Sequence, residues 1–454
     1  MSRYVFRKQF KRRQFVATAA LICLACHIPV FAQPIRIPET GVGISGVFLD
    51  ANGAVHLHDP DANEAQDARA KAIKAGVISK AVDKNENLCC ISLPRLIPII
   101  KELQLREKPI PDELRYLGGL TQIRYLFAYP DERELIIVGS CEPWDTTNPI
   151  EPIGKVTGHP IMQLDDLVAA MRTARNMRRG GENGGNFGCS INPEKGVADR
   201  VAKWAKAFAN KPRPEKMPAL AKAVGPQQIA FFNMHDNTRS AFVCVAADCK
   251  LKRFALGAEQ APVPGLGVAV EGLARVPDSH VWFELSYDPI LMSEDGFAFE
   301  LKGQRLQVKA GEEEFNDKDA THKALNFAKQ CTQKMPQLCA SISAFADLRN
   351  VADLAMVATL IRLDKLDEKV KWDSLPVQAV IGWEVATLPV PKSLETQVVY
   401  AASGGLVHGG VSLGSEALLD PDLRKLDKKL TLKPMYERVQ KMLGAEKQAI
   451  WVLR

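Results

Sequence analysis

Between Val351 and Ile361 only Asp353 and Thr359 are polar. A helix drawn through this run, from about Ile342 to Leu363, is apolar on nearly every side, and such a helix has to be enclosed by protein. Its 11-residue apolar stretch falls short of the roughly 20 residues that cross a bilayer. The fold must therefore supply walls for an interior helix, and they have to come from strands and helices elsewhere in the chain.

Strand signals come in groups. Gly46 to Asp50 and Ala54 to His58 flank Asn52-Gly53, a pair that favours a tight hairpin turn. Ile123 to Tyr129 and Glu134 to Val138 are β-branched and aromatic, and Pro130-Asp131-Glu132 joins them as a turn. A second meander is expected from His280 to Lys309, with strands at Val281–Leu285, Phe297–Leu301 and Leu306–Val308 and turns at Ser293–Gly296 and Lys302–Gln304. Shorter strands are expected at Cys189–Ile191, Ala379–Thr387 and Gln397–Ala402, with a glycine-rich segment continuing to Gly414. Gly180 to Gly188 reads as a loop.

Helices are expected over Asp61–Lys74, Leu93–Leu105, Pro111–Leu120, Leu164–Met177, 194–210, Asp317–Met335 and after Pro434, while residues 217–257 mix helical and extended signals. Separated strand groups and helix groups give an α+β fold class, with antiparallel hairpins and meanders packed against helices in two or three subdomains. The expected division is a signal peptide at 1–32, a loose arm at 33–45, an α+β region at 46–210, a second at 215–415 and a helical tail at 416–454. Lys211-Pro212-Arg213-Pro214 marks the break between the two large regions.

The N-terminus carries an address. Six basic residues from Arg3 to Arg13 precede an apolar and small-residue run from Phe15 to Cys26, and Val30-Phe31-Ala32 then offers a cleavage site between Ala32 and Gln33. Arg12-Arg13-Gln14-Phe15-Val16 resembles a twin-arginine export motif, and Leu24-Ala25-Cys26 a lipoprotein acceptor. Export to the periplasm, the cell envelope or the exterior is the expectation.

Cleavage changes the charge argument. The net charge of +6 comes from 59 basic and 53 acidic residues, and the removed segment holds six basic residues and no acidic ones. A neutral mature chain has no global footprint for nucleic acid, and none is expected as a partner. An envelope protein is the expected kind of partner, with no membrane span in the mature chain.

Ten cysteines fall to eight after cleavage, and export permits disulfides. Cys244 with Cys249 and Cys331 with Cys339 are candidate local pairs, and Cys141 and Cys189 are candidates to bridge neighbouring strands. Other motifs fail in context. Gly410-Val411-Ser412-Leu413-Gly414 matches a serine-hydrolase elbow, but no histidine follows His408 to complete the triad order. Gly41 to Gly46 matches a dinucleotide fingerprint without a preceding strand and a following helix. No cofactor is expected.

His56 and His58 alternate along an expected strand and form the best metal candidate, with His159, His235, Asp236, His280 or His408 as further ligands. Asp165-Asp166 reads as a helix-start pair, and Glu312-Glu313-Glu314 as a solvated run.

Five segments carry a resemblance: PDELRYLGGLTQIRYLFAYPDERELIIVG from Pro111, GHPIMQLDDL from Gly158, CSINP from Cys189, YDPILMSEDGFAFEL from Tyr287 and DLRNVADLAMVA from Asp347. In this order they resemble a family of exported planctomycete proteins known as a domain of unknown function, DUF1598. The resemblance implies an exported protein spanning most of the chain as one unit, and it carries no catalytic residue or cofactor. A non-enzymatic structural or interaction component of the periplasm or cell envelope is the leading expectation. A metal-assisted hydrolase using His56 and His58, and a small-solute binding protein, are the alternatives.

Overall fold

A computed structural model describes residues 88–146, 152–176, most of 186–269, 278–311 and 318–372, shorter stretches at 390–394, 406–414, 424–445 and 452–453, and two strands near residues 46–58. In chain order the strands are β1 (Gly46–Leu49), β2 (Val55–His58), β3 (Leu88–Ser92), β4 (Leu120–Tyr129), β5 (Glu134–Cys141), β6 (Trp144–Asp145), β7 (Ile153–Gly154), β8 (Asn186–Pro193), β9 (Gln227–Phe232), β10 (Asp278–Met292), β11 (Ala298–Ala310), β12 (Ser393–Leu394), β13 (Leu406–Gly414), β14 (Arg424–Leu426) and β15 (Val452–Leu453). The helices are α1 (Leu93–Leu105), α2 (Asp112–Arg115), α3 (Leu164–Asn176), α4 (Val197–Ala207), α5 (Arg213–Val224), α6 (Arg239–Leu256), α7 (Lys318–Gln333), α8 (Met335–Ser341), α9 (Ser343–Leu363), α10 (Leu366–Lys369) and α11 (Lys433–Ala445). The fold class is α+β.

One mixed sheet organises these elements. Its order is β12-β9-β8-β13-β10-β11-β4-β5-β3-β15, with β14 added beside β10. Neighbours pair antiparallel except β10, which runs parallel to β13 and to β14. The chain between β10 and β13 holds α7 to α10, the length of connection that a parallel pair requires. Strands on either side of the 211–214 break, β8 and β9, pair with each other in this sheet.

The interior helix is α9, and it is apolar all round because it serves two cores. Phe345, Leu348, Val351 and Ala355 pack with β8, β10, β11, β13 and α6 in one cluster. Leu354, Val357, Leu360 and Ile361 pack with α1, α3, β3, β4 and β5 in the other. A one-sided amphipathic helix could not fill both. The opposite face of the β3–β4–β5 region is covered by α11, where Tyr129 and Tyr436 stack at 4.4 Å and each hydroxyl donates to a carbonyl beside the other ring.

Several sequence expectations meet the structure closely. β1 and β2 pair in antiparallel register, and β4 pairs with β5 around the 130–133 turn, while Asn52-Gly53 itself lies outside the described residues. Four details differ. The helix expected over Pro111–Leu120 ends at Arg115, a short 3-10 turn follows, and Leu120 already opens β4. The second meander has two long strands, because Lys302–Gln304 is absorbed within β11 rather than forming a turn. Asn186 to Gly188 opens β8 instead of closing a loop, and the glycine-rich end of the 406–414 segment is strand β13. Close backbone approach explains these glycines: a Cβ at Gly188 would stand 1.9 Å from the Val411 carbonyl, and one at Gly410 2.1 Å from that of Cys189. The expected elements at 61–74, 379–387 and 397–402, the Ala32–Gln33 cleavage site and the 312–314 acidic run lie outside the described residues.

Candidate functional site: a polar spine along α9

Polar residues on α9 are few, and Asp347, Arg349, Asn350 and Asp353 tie it to other parts of the fold. Asp353 is fully buried. Its Oδ1 accepts from the Tyr287 hydroxyl at 2.9 Å and from Arg305 Nε at 3.1 Å, and its Oδ2 faces the Ile123 N–H at 3.4 Å. The same guanidinium donates to the carbonyls of Ile123 and Leu301 and lies 5.6 Å from the Tyr287 ring centre. The backbone is bent to achieve this. The β10–β11 register shifts between Ser286 and Asp288, and Arg305 adopts φ +70°, a strained value for a side chain with a Cβ. The irregularity re-aims Tyr287 and Arg305 from the sheet toward α9.

One turn earlier, Asn350 donates to the Pro160 carbonyl at 2.9 Å, and Arg349 reaches the Thr121 carbonyl. Asp347 binds Arg239, the first residue of α6, and Arg239 also binds Asp166 of α3. Ser240 donates to the remaining Asp166 oxygen at 2.7 Å. Thr238 caps α6 by accepting from the Ala241 N–H. Arg239 is nearly buried, and although burial works against its charge, the two carboxylates raise its pKa above the ordinary arginine value. Burial raises the Asp347 pKa, outweighing the stabilising charge of Arg239. The Tyr287 hydroxyl is likewise pushed up by burial and by Asp353.

A shallow surface recess with room for about one water molecule lies beside this network, where Phe187, Met234, His235, Thr238 and Ser240 meet Ala355 of α9. The spine itself is chemically quiet. Its carboxylates are used to neutralise arginines, and its hydroxyl groups donate to those same carboxylates.

The residues singled out in the sequence are scattered. His56 and His58 occupy β2 opposite Phe48 and Gly46, in a two-stranded sheet of their own. His280 and His408 are register partners in the parallel β10–β13 pair, and His235 lies in the loop before α6. Among the described residues, no group of three or more potential ligands is arranged to hold a metal. Ser412 sits inside β13 opposite Gly188, so it lacks the strand-to-helix elbow that a hydrolase nucleophile needs.

None of the eight described cysteines is in a disulfide. Cys141 lies on β5 and Cys189 on β8, five sheet positions apart, or about 24 Å at the usual strand spacing, so they do not bridge neighbouring strands. Cys244 and Cys249 are five residues apart on α6, which separates them along the axis by about 7.5 Å and puts them beyond disulfide reach. Cys331 and Cys339 sit on the successive helices α7 and α8 as separate buried thiols. Burial pushes the Cys249 thiol up to about 12 and Cys339 to about 11, and raises Cys189, Cys244 and Cys331 as well.

The sequence reading missed Asp166 and Arg239. Asp166 looked like a helix-dipole residue, yet it is 3% exposed and belongs to the spine. Its place in the GHPIMQLDDL segment was the available signal, since Asp347, which shares Arg239 with it, falls in another of the quoted segments.

The fold and spine define a large mixed-sheet α+β protein with a cross-linked interior. Residues 189–267, from β8 through α6, match the model of a family described as a protein of unknown function, DUF1598. No curated protein and no solved structure matches the chain.

Proposed function

We propose that the chain is exported and serves as a non-enzymatic structural or interaction component of the periplasm or cell envelope. The observation that carries this reading is the use made of the buried charges. Asp166, Asp347 and Asp353 each hold an arginine that joins separate elements, which is how a rigid framework is fixed. The signal-like N-terminus supplies the destination.

Fractionation with cross-linking in the native cell tests it. The reading expects a periplasmic or envelope protein whose chain starts at Gln33 and which cross-links to a constant partner. A cytoplasmic protein retaining residues 1–32, or one without a constant cross-linked neighbour, contradicts it.

A further inference from the structure

The mature chain is neutral in sum, but its charge is unevenly placed. The segment RKLDKKLTLK, Arg424 to Lys433, runs from β14 to the start of α11 and holds five basic residues and one acid. That acid, Asp427, is buried and turned inward. Burial works against its charge, but hydrogen bonds from Leu432, Thr431 and Lys429 outweigh it and lower its pKa. Arg424 is also taken up, by Asp364 at 2.7 Å, and Lys433 faces Glu437 along α11. Lys425, Lys428 and Lys429 remain exposed and pair with no carboxylate among the described residues.

Two leucines stand among these lysines. Leu426 is 47% exposed and Leu430 is 58% exposed, so both leave apolar surface in water. Leu430 is held out by its backbone. Its φ is +52°, a region that side chains with a Cβ rarely adopt, and the turn is fixed by Leu432 N–H and the Thr431 hydroxyl donating to Asp427. β14 anchors the start of the loop to the end of β10, and Leu432 anchors its end in the core under α11. In the adjoining turn, Asp295 accepts from the Ser293 hydroxyl and the Phe297 N–H of its own loop.

We propose that this rigid basic loop is a docking device for an anionic phospholipid surface, with Leu426 and Leu430 entering the headgroup boundary and Lys425, Lys428 and Lys429 meeting lipid phosphates. The chemistry selects a lipid over other anions. Isolated lysines act as point charges toward a diffuse negative surface, and protruding leucines gain by leaving water without needing a shaped pocket. Contact of this kind is peripheral, in keeping with the finding that no described helix is long and apolar enough to cross a membrane. The inference takes its setting from the proposed envelope location, but it concerns a surface that can be measured on its own.

Flotation of the protein recovered from its native fraction, with phosphatidylglycerol-containing vesicles and with pure phosphatidylcholine vesicles, tests it. The protein should float with the anionic vesicles and stay behind with the neutral ones. Exchanging Lys425, Lys428 and Lys429 together for Gln should lower partitioning by at least about tenfold, since each lysine near such a surface contributes measurably. Leu426→Ser with Leu430→Ser should lower it at moderate salt without altering the salt dependence.

All five residues are exposed, so the variants should melt like the parent, which checks that each is folded. Equal flotation of parent and variants, or equal flotation with both vesicle types, overturns the proposal. A cytoplasmic location would overturn the envelope reading without changing the vesicle result, so the two failures are distinguishable.

Discussion

Removing the Asp353 carboxylate is the severest single test of the spine. In Asp353→Ala the Arg305 guanidinium stays buried without its charge partner, and the Tyr287 hydroxyl loses its acceptor. Breaking one side of a buried ion pair costs about 3–5 kcal/mol, and an orphaned buried hydroxyl adds about 1 kcal/mol or more. The expected loss is therefore about 4–6 kcal/mol, a large part of the roughly 5–15 kcal/mol that holds a domain folded. Urea unfolding followed by circular dichroism measures it.

Two controls give the number its meaning. Thr359→Ala removes a hydroxyl that donates to the Ala355 carbonyl one turn back, and should change stability by less than about 1 kcal/mol. Asp353→Leu combined with Arg305→Met removes both charges and should recover most of the loss, because a buried pair exchanged for apolar residues is often neutral. A loss below about 1 kcal/mol in Asp353→Ala would show that the pair is solvated, and would refute the claim that it clamps α9 to the β10–β11 bulge.

Other outcomes follow from the same geometry. Asp347 has its folded-state pKa raised above the ordinary 3.8, so the folded protein holds that proton more tightly than the unfolded chain. Its contribution to stability is complete below 3.8 and is lost as pH rises through the raised value, so Asp347→Asn should flatten that part of a stability–pH profile. Gly410→Ala places a Cβ against the Cys189 carbonyl and should cost more than about 1 kcal/mol by thermal melting, since β8 and β13 would have to separate. Cys189, Cys244 and Cys331 should resist alkylation at neutral pH in the native state and react in denaturant, because burial keeps their thiols protonated.

The interior helix was legible because its apolar run is a local property of the sequence, as was the turn chemistry at residues 130–133. The spine was less so. Asp166, Arg239, Tyr287, Arg305 and Asp353 are brought together by tertiary packing over separations of up to 230 residues in the case of Ile123 and Asp353, and no spacing rule encodes such a meeting. Lys302-Gly303-Gln304 has the composition of a turn, yet β11 continues through it because Arg305 is required under α9. The glycine-rich composition of 406–414 did not specify a strand, and Gly410 is explained only by the closeness of the neighbouring β8 backbone. Summed charge misled in the opposite direction, since a total over hundreds of residues says nothing of where charge lies and gave no hint of the basic loop at 424–433.

Native-state hydrogen exchange of the α9 amides tests the central claim most directly. If one helix, pinned by Asp347, Asn350 and Asp353, joins both cores into a single framework, the amides from Val351 to Ile361 should exchange only through global unfolding. Their opening free energy should then equal that of β4 in one core and β13 in the other. Exchange of α9 through a smaller opening, or different opening free energies for the two cores, would contradict the account.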